Sequence, residues 1–137
     1  MSLYKSDSPV FYKEALNSIK DQNYGRESIR LYQVIDGEIS KELEAVVNEF
    51  SDVFYKLIRV PKNQGLANAL NQLVSQLDDE EYIFRMDSDD IARRYRIEKQ
   101  VEYMEKTPEI GVSGTAISEF YENGKYNIIF AWRFKRK

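Results

Sequence analysis

Residues 84–94 read "FRMDSDDIARR". Tyr82 to Met86 is an apolar, strand-like run. It ends in Asp87, Asp89 and Asp90, and arginines follow at once. Like charges this close repel, so the stretch demands compensation from a cation, from N–H donors or from solvent. In an extended segment, positions i and i+2 point the same way. Asp87 and Asp89 can therefore aim at one point and share a divalent ion. The competing reading is a polar strand-to-helix turn with one carboxylate capping the next helix. On residue types alone the two weigh equally, and Asp90 is the best candidate for the cap.

The surroundings place this stretch in a series. Ser8-Pro9 predicts a helix start, with Ser as N-cap and Pro at the first helical position. Phe11, Ala15 and Ile19, with Leu16 beside them, form its apolar stripe. Ile29 to Ile35 reads as a strand ending at Asp36-Gly37. Ile39, Leu43, Val46, Val47 and Phe50 have helical spacing. Phe54 to Val60 is a strand stopped by Pro61. Leu66, Ala69, Leu70, Leu73, Val74 and Leu77 mark the clearest helix. Ile97, Val101 and Met104 share a face of another, which ends near Thr107-Pro108. Gly111 to Tyr121 and Tyr126 to Trp132 predict a hairpin, with Asn123-Gly124 suiting a type I′ turn.

Strands alternating with helices imply an α/β fold: a mostly parallel sheet, helices on both faces and a C-terminal β-hairpin. Ligands bind such sheets beyond the carboxyl ends of the strands. Tyr4 to Asp7, Asp36-Gly37, Lys62 to Gly65 and Asp87 to Asp90 all follow strands, so they should gather on one rim. A carboxylate at Asp36 could accept donors from a base or sugar, or simply close an Asp-Gly turn. Asn63 and Gly65 could bring backbone N–H groups to a phosphate at a helix N-terminus, or form an ordinary turn. The P-loop pattern is absent.

Composition narrows the chemistry. The 137 residues suit one domain with a sizeable core. There is no Cys and no His. Thiolate catalysis, Ser-His-Asp catalysis and zinc sites built on these ligands are excluded. Any metal would sit on oxygen ligands, which favours hard ions such as Mg(II) or Mn(II). A net charge of −3, with both signs interspersed, gives no electrostatic case for nucleic acid. No apolar run approaches the roughly 18 residues that span a bilayer. No signal-peptide pattern opens the chain, so a cytoplasmic location is the expectation.

The order of these pieces resembles the inverting glycosyltransferases of family 2, with their GT-A fold, and most of all bacterial enzymes of surface-polysaccharide synthesis. The resemblance rests on "MSLYKSD", "EALNSIKDQ", "VIDG", "PKNQGLANALN", "RMDSDDIARRYRIEKQ" and "PEIGVSGTAISEF", in family order to about Phe120. It implies that Ser2 and Tyr4 contact the nucleotide and that Asp36 reads the base. It further implies that Asp87 lies near ribose and metal and that Asp89 is the principal ligand of Mg(II) or Mn(II). The donor implied is a UDP- or GDP-sugar, and the acceptor a saccharide or lipid-linked saccharide.

The sequence departs from the family pattern at Leu70, where an arginine is usual. Ile35-Asp36-Gly37-Glu38 keeps one acid of the common Asp-Asp-Gly-Ser, and Arg93-Arg94 replaces Leu-Pro. "FAWRFKRK" does not resemble the acceptor-binding half that carries the general base. Residues 1–137 are therefore read as a single nucleotide-sugar-binding domain, truncated at both ends and lacking that half. Peripheral membrane association of a full-length protein and homodimerisation through Tyr126 to Trp132 stay open. So do an Asp-dependent phosphotransferase and a non-catalytic interaction module.

Overall fold

The computed structural model describes residues 1–120, 126–129 and 134–135. The chain divides into two compact units, Met1–Arg94 and Tyr95–Lys137.

The first unit is built around β2, Leu31–Asp36, all six of whose residues are buried. It pairs in parallel with β1, Ser2–Leu3, on one side and with β3, Phe54–Val60, on the other. The sheet order is β1-β2-β3. Alternation along β2 divides the core. Leu31 and Ile35 join Leu3, the α1 residues Tyr12, Ala15 and Leu16, and the α2 residues Leu43, Val46 and Val47. Tyr32 and Val34 pack with Val60 and with Ala69 and Leu73 of α3. Helices thus cover both faces, as the unbroken apolar run of β2 requires.

Local chemistry sets the helix ends. In α1, Pro9–Lys20, the Ser8 hydroxyl accepts the Phe11 N–H, and Pro9 occupies the first turn. In α2, Lys41–Glu49, the Ser40 hydroxyl accepts the Leu43 N–H at 3.1 Å. In α3, Leu66–Val74, Gly65 stands at the N-cap with φ 86°. The stripe predicted for α1 holds at Ala15, Leu16 and Ile19, but at its first position Phe11 is 52% exposed and Tyr12 takes the buried place. On α3, Leu66 and Val74 are exposed while Ala69 and Leu73 are buried.

The run Tyr82 to Met86, expected as a strand, joins no ladder of the described sheets. Its burial still alternates. Tyr82 and Phe84 are half-buried, Met86 and Ser88 buried, and Ile83, Arg85 and Asp89 exposed. The side-chain period of a strand is present although the run joins no ladder among the described residues.

A clamp holds the stretch just before this run. Arg30 pairs with Asp79 and Glu80, the Tyr32 hydroxyl donates to Glu80, and Lys56 donates to Asp78 at 3.1 Å.

The second unit contains α4, Arg96–Lys106, with Ile97 and Val101 buried. The predicted strand Gly111 to Tyr121 is two strands: β4, Ile110–Val112, and β5, Ile117–Phe120. β5 pairs antiparallel with β6, Tyr126–Ile129, which is the expected hairpin, and β4 pairs with β7, Phe134–Lys135. The Asn123-Gly124 turn and Trp132 lie outside the described residues.

Candidate functional site

Two groups of side chains form at the carboxyl ends of the strands. The first is centred on Asp36, the last residue of β2, which is 3% exposed. Its Oδ1 accepts the Gln64 N–H at 2.8 Å and its Oδ2 the Gly65 N–H at 2.9 Å. The Asn63 amide donates to the Asp36 carbonyl at 3.1 Å. Asp36, Asn63 and Gly65 are thus brought together, with the two backbone N–H groups turned onto Asp36. Gly37, at φ 89°, lets the chain turn tightly past Asn63, whose N lies 2.8 Å from where a Cβ would stand. An open groove of about 410 Å³ adjoins this turn, lined in part by Gly37, Glu38, Arg59 and Pro61.

The second group joins the loop after β1 to the acidic stretch. Asp7 Oδ2 accepts the Tyr4 N–H and the Ser88 hydroxyl, each at 3.0 Å. Partial burial pushes the Asp7 carboxyl above its ordinary range. The two hydrogen bonds oppose that rise, and the charges of Asp89 and Asp87 add to it. Tyr12 lies close enough to feel Asp7. Burial first, and the Asp7 charge second, hold its phenol well above the usual value. The Tyr12 hydroxyl is buried with no hydrogen-bond partner among the described residues.

Asp87 is engaged by Arg85, with Nη2 at 3.0 Å and 3.2 Å from its two oxygens, and both side chains are exposed. The chain beyond is stitched to α1 and the turn that ends it. Ala92 donates to the Ser18 hydroxyl at 3.0 Å, Gln22 to the Arg93 carbonyl at 3.0 Å, and the Asn23 N–H to the Arg94 carbonyl at 2.9 Å. Arg93 and Arg94 therefore serve this docking through their backbone carbonyls.

The expectation for Asp90 is corrected. The next helix begins at Arg96, and its N-cap is Tyr95, which makes no side-chain capping bond. The Asp90 N–H instead closes a turn on the Asp87 carbonyl. Ser2 lies within β1, opposite Val34, and Tyr4 is exposed just beyond it. Among the described residues no three acidic side chains are grouped closely enough to cage a metal ion. Sequence reasoning did not single out Asp7 and Ser88 as site residues. The signal for Ser88 was its position two after Met86, on the inward side of the alternation.

A parallel sheet with helices on both faces, and with its polar groups gathered beyond the strand ends, is an α/β domain built to bind a ligand along that rim. The crystal structure of S. aureus TarS shares this fold. Its TM-score is 0.67 at 18% identity, over 88% of this chain and 23% of that one. The description "Glycosyl transferase family 2" matches residues 7–137, and the chain belongs to that family.

Three curated relatives agree. An uncharacterized glycosyltransferase of Haemophilus influenzae is 40% identical over 97% of this chain and 48% of its own length. The amylovoran biosynthesis glycosyltransferase AmsE of Erwinia amylovora is 39% identical over 91% and 46%. The UDP-Gal:alpha-D-GlcNAc-diphosphoundecaprenol beta-1,3-galactosyltransferase of Escherichia coli is 32% identical over 90% and 44%. The chain spans about half the length of these relatives. No helix of the described residues is long and apolar enough to cross a membrane.

Proposed function

We propose that this chain is the donor-binding part of an inverting glycosyltransferase. It would act in bacterial surface-polysaccharide synthesis, on the cytoplasmic side. The acceptor hydroxyl oxygen attacks the anomeric carbon and loses its proton to a base. The bond from that carbon to the diphosphate breaks, and the nucleoside diphosphate leaves with the electron pair. The observation that carries the reading is the anchoring of the Asp87–Asp89 segment, through Ser88, to the loop that follows β1. Kinship with a relative named for UDP-Gal and a diphosphoundecaprenol acceptor favours a UDP-sugar donor and a lipid-linked acceptor.

The residues present suit Mg(II) or Mn(II). The donor set is all oxygen, since the chain has neither His nor Cys. Mg(II) is commonly held by one or two carboxylates plus substrate phosphates and water, and needs no three-acid cage. The charges of Asp87 and Asp89 both reach Asp7, which places the two carboxylates in one neighbourhood. Asp89 and Asp87 would hold the ion, which when bound would stabilise charge on the departing diphosphate. In this proposal Tyr4 and Ser2 border the nucleotide. Asp36 contacts its base while holding the turn that carries Asn63 and Gly65.

Thermal unfolding with UDP-galactose, UDP-glucose and GDP-mannose, with Mn(II) and with EDTA, tests the reading. A ligand at a hundredfold excess over its Kd stabilises by about 2.7 kcal/mol, a rise of several degrees. We expect that rise for one donor class, and only with Mn(II). No response to any donor, or an equal response in EDTA, would overturn the proposal.

A further inference from the structure

We infer that Asp7 is a positioning residue for the donor site: by binding the Ser88 hydroxyl it sets the orientation of Asp87 and Asp89 on either side. The inference rests on the donor-binding reading above and extends it to a residue outside the acidic motif.

The geometry comes from two independent features. First, the alternation of burial through Tyr82, Phe84, Met86 and Ser88 turns Ser88 inward, leaving Asp89 and the Asp87 side chain exposed. This segment joins no ladder among the described residues. A slip of one residue in an extended segment exchanges its two faces. It would bury the two carboxylates and expose the serine.

Second, a side-chain bond holds Ser88 in that inward place. Ser88 is 7% exposed and donates to Asp7 across 81 residues of chain. Asp7 is in turn fixed by the Tyr4 N–H donating to its side chain, while its own N–H donates to the Tyr4 carbonyl at 3.1 Å. Both bonds fall on Oδ2, and among the described residues Oδ1 receives none. The clasp therefore ties the acidic segment to the end of β1.

The test measures binding of UDP and of GDP to the full chain by calorimetry, with Mn(II) and with EDTA. The proteins are the parent, Ser88→Ala, Ser88→Thr, Asp7→Ala and the Asp7→Ala/Ser88→Ala double variant. Melting temperature is recorded for each. Ser88→Ala should weaken Mn(II)-dependent binding about tenfold, the worth of one hydrogen bond to a charged group. In EDTA neither protein should bind UDP measurably. Ser88→Thr, which keeps the hydroxyl, should restore binding. The double variant should be no weaker than Asp7→Ala alone, since the two residues share one interaction.

If the parent binds UDP with Mn(II) and Ser88→Ala binds it equally well, the clasp is refuted and the donor-binding reading stands. Additive losses in the double variant refute it too. If the parent binds neither UDP nor GDP with Mn(II), both fall together.

Discussion

The carboxylate of Asp36 and the backbone N–H of Gly65 meet at 2.9 Å across 29 residues of chain. With the Gln64 N–H on the other oxygen, one buried side chain closes the turn between β3 and α3. Hydrogen bonds to a charged group contribute about 1.5–3 kcal/mol each, and orphaned buried N–H groups add a penalty. Asp36→Ala should therefore destabilise the fold by roughly 3 kcal/mol or more, read by urea unfolding. Asp36→Asn should cost less, because its amide still offers one acceptor. Equal stability of Asp36→Ala and parent would show that the turn holds without this carboxylate.

The glycines that flank this turn should respond unequally. Gly37 and Gly65 both have φ near +90°, where a side chain is strained by about 1–3 kcal/mol. At Gly65 a Cβ would meet nothing within 4 Å, whereas at Gly37 it would collide with the Asn63 N. Gly37→Ala should lower the melting temperature clearly more than Gly65→Ala. The reverse order would contradict the tight approach described above.

Acid should loosen the clamp beneath the sheet. Glu80 is held down to about 2 from an ordinary 4.5, chiefly by the Tyr32 hydroxyl, with Arg30 also contributing. A carboxyl depressed in the folded state stabilises it fully above the unfolded value. That contribution is lost as pH falls from about 4.5 through about 2. Chemical denaturation at stepped pH should show a fall in stability over this window. Glu80→Gln should flatten it, and an unchanged slope would remove Glu80 as its source.

Arg85 occupies the carboxylate that the proposed ion would need. Both partners are exposed, so the pair should add little to stability. Arg85→Ala should leave the melting temperature nearly unchanged and strengthen Mn(II) binding several-fold in the presence of UDP, measured by titration calorimetry. Weaker binding would instead make Arg85 part of the donor contact.

Much of the fold was legible because local signals agreed with burial. Ser8-Pro9 starts α1, Asp36 ends β2, and Phe54 to Val60 is a strand with the bounds its composition suggested. Elsewhere neighbouring residues offered equal hydrophobicity. Phe11 and Tyr12 are both aromatic, and only the packing of α1 against β2 and α2 selects Tyr12. Tyr82 to Met86 has the alternation of a strand, but pairing depends on a neighbour that periodicity cannot supply.

The rim was legible as a set of strand ends and not as a set of bonds. Nothing in the spacing of Asp7 and Ser88 announces a contact across 81 residues. Asp90 was read as a cap because a helix was expected at once, and that helix begins only at Arg96.

The complete enclosure of β2 has a bearing on how this chain can change over generations. Its six residues answer to packing on two faces and to pairing on two edges, so almost any replacement there disturbs several neighbours at once. Exposed loop residues such as Lys5, Glu38 and Lys62 carry no such burden. Variation in what the rim accommodates can accumulate at those positions while the strand beneath them stays as it is.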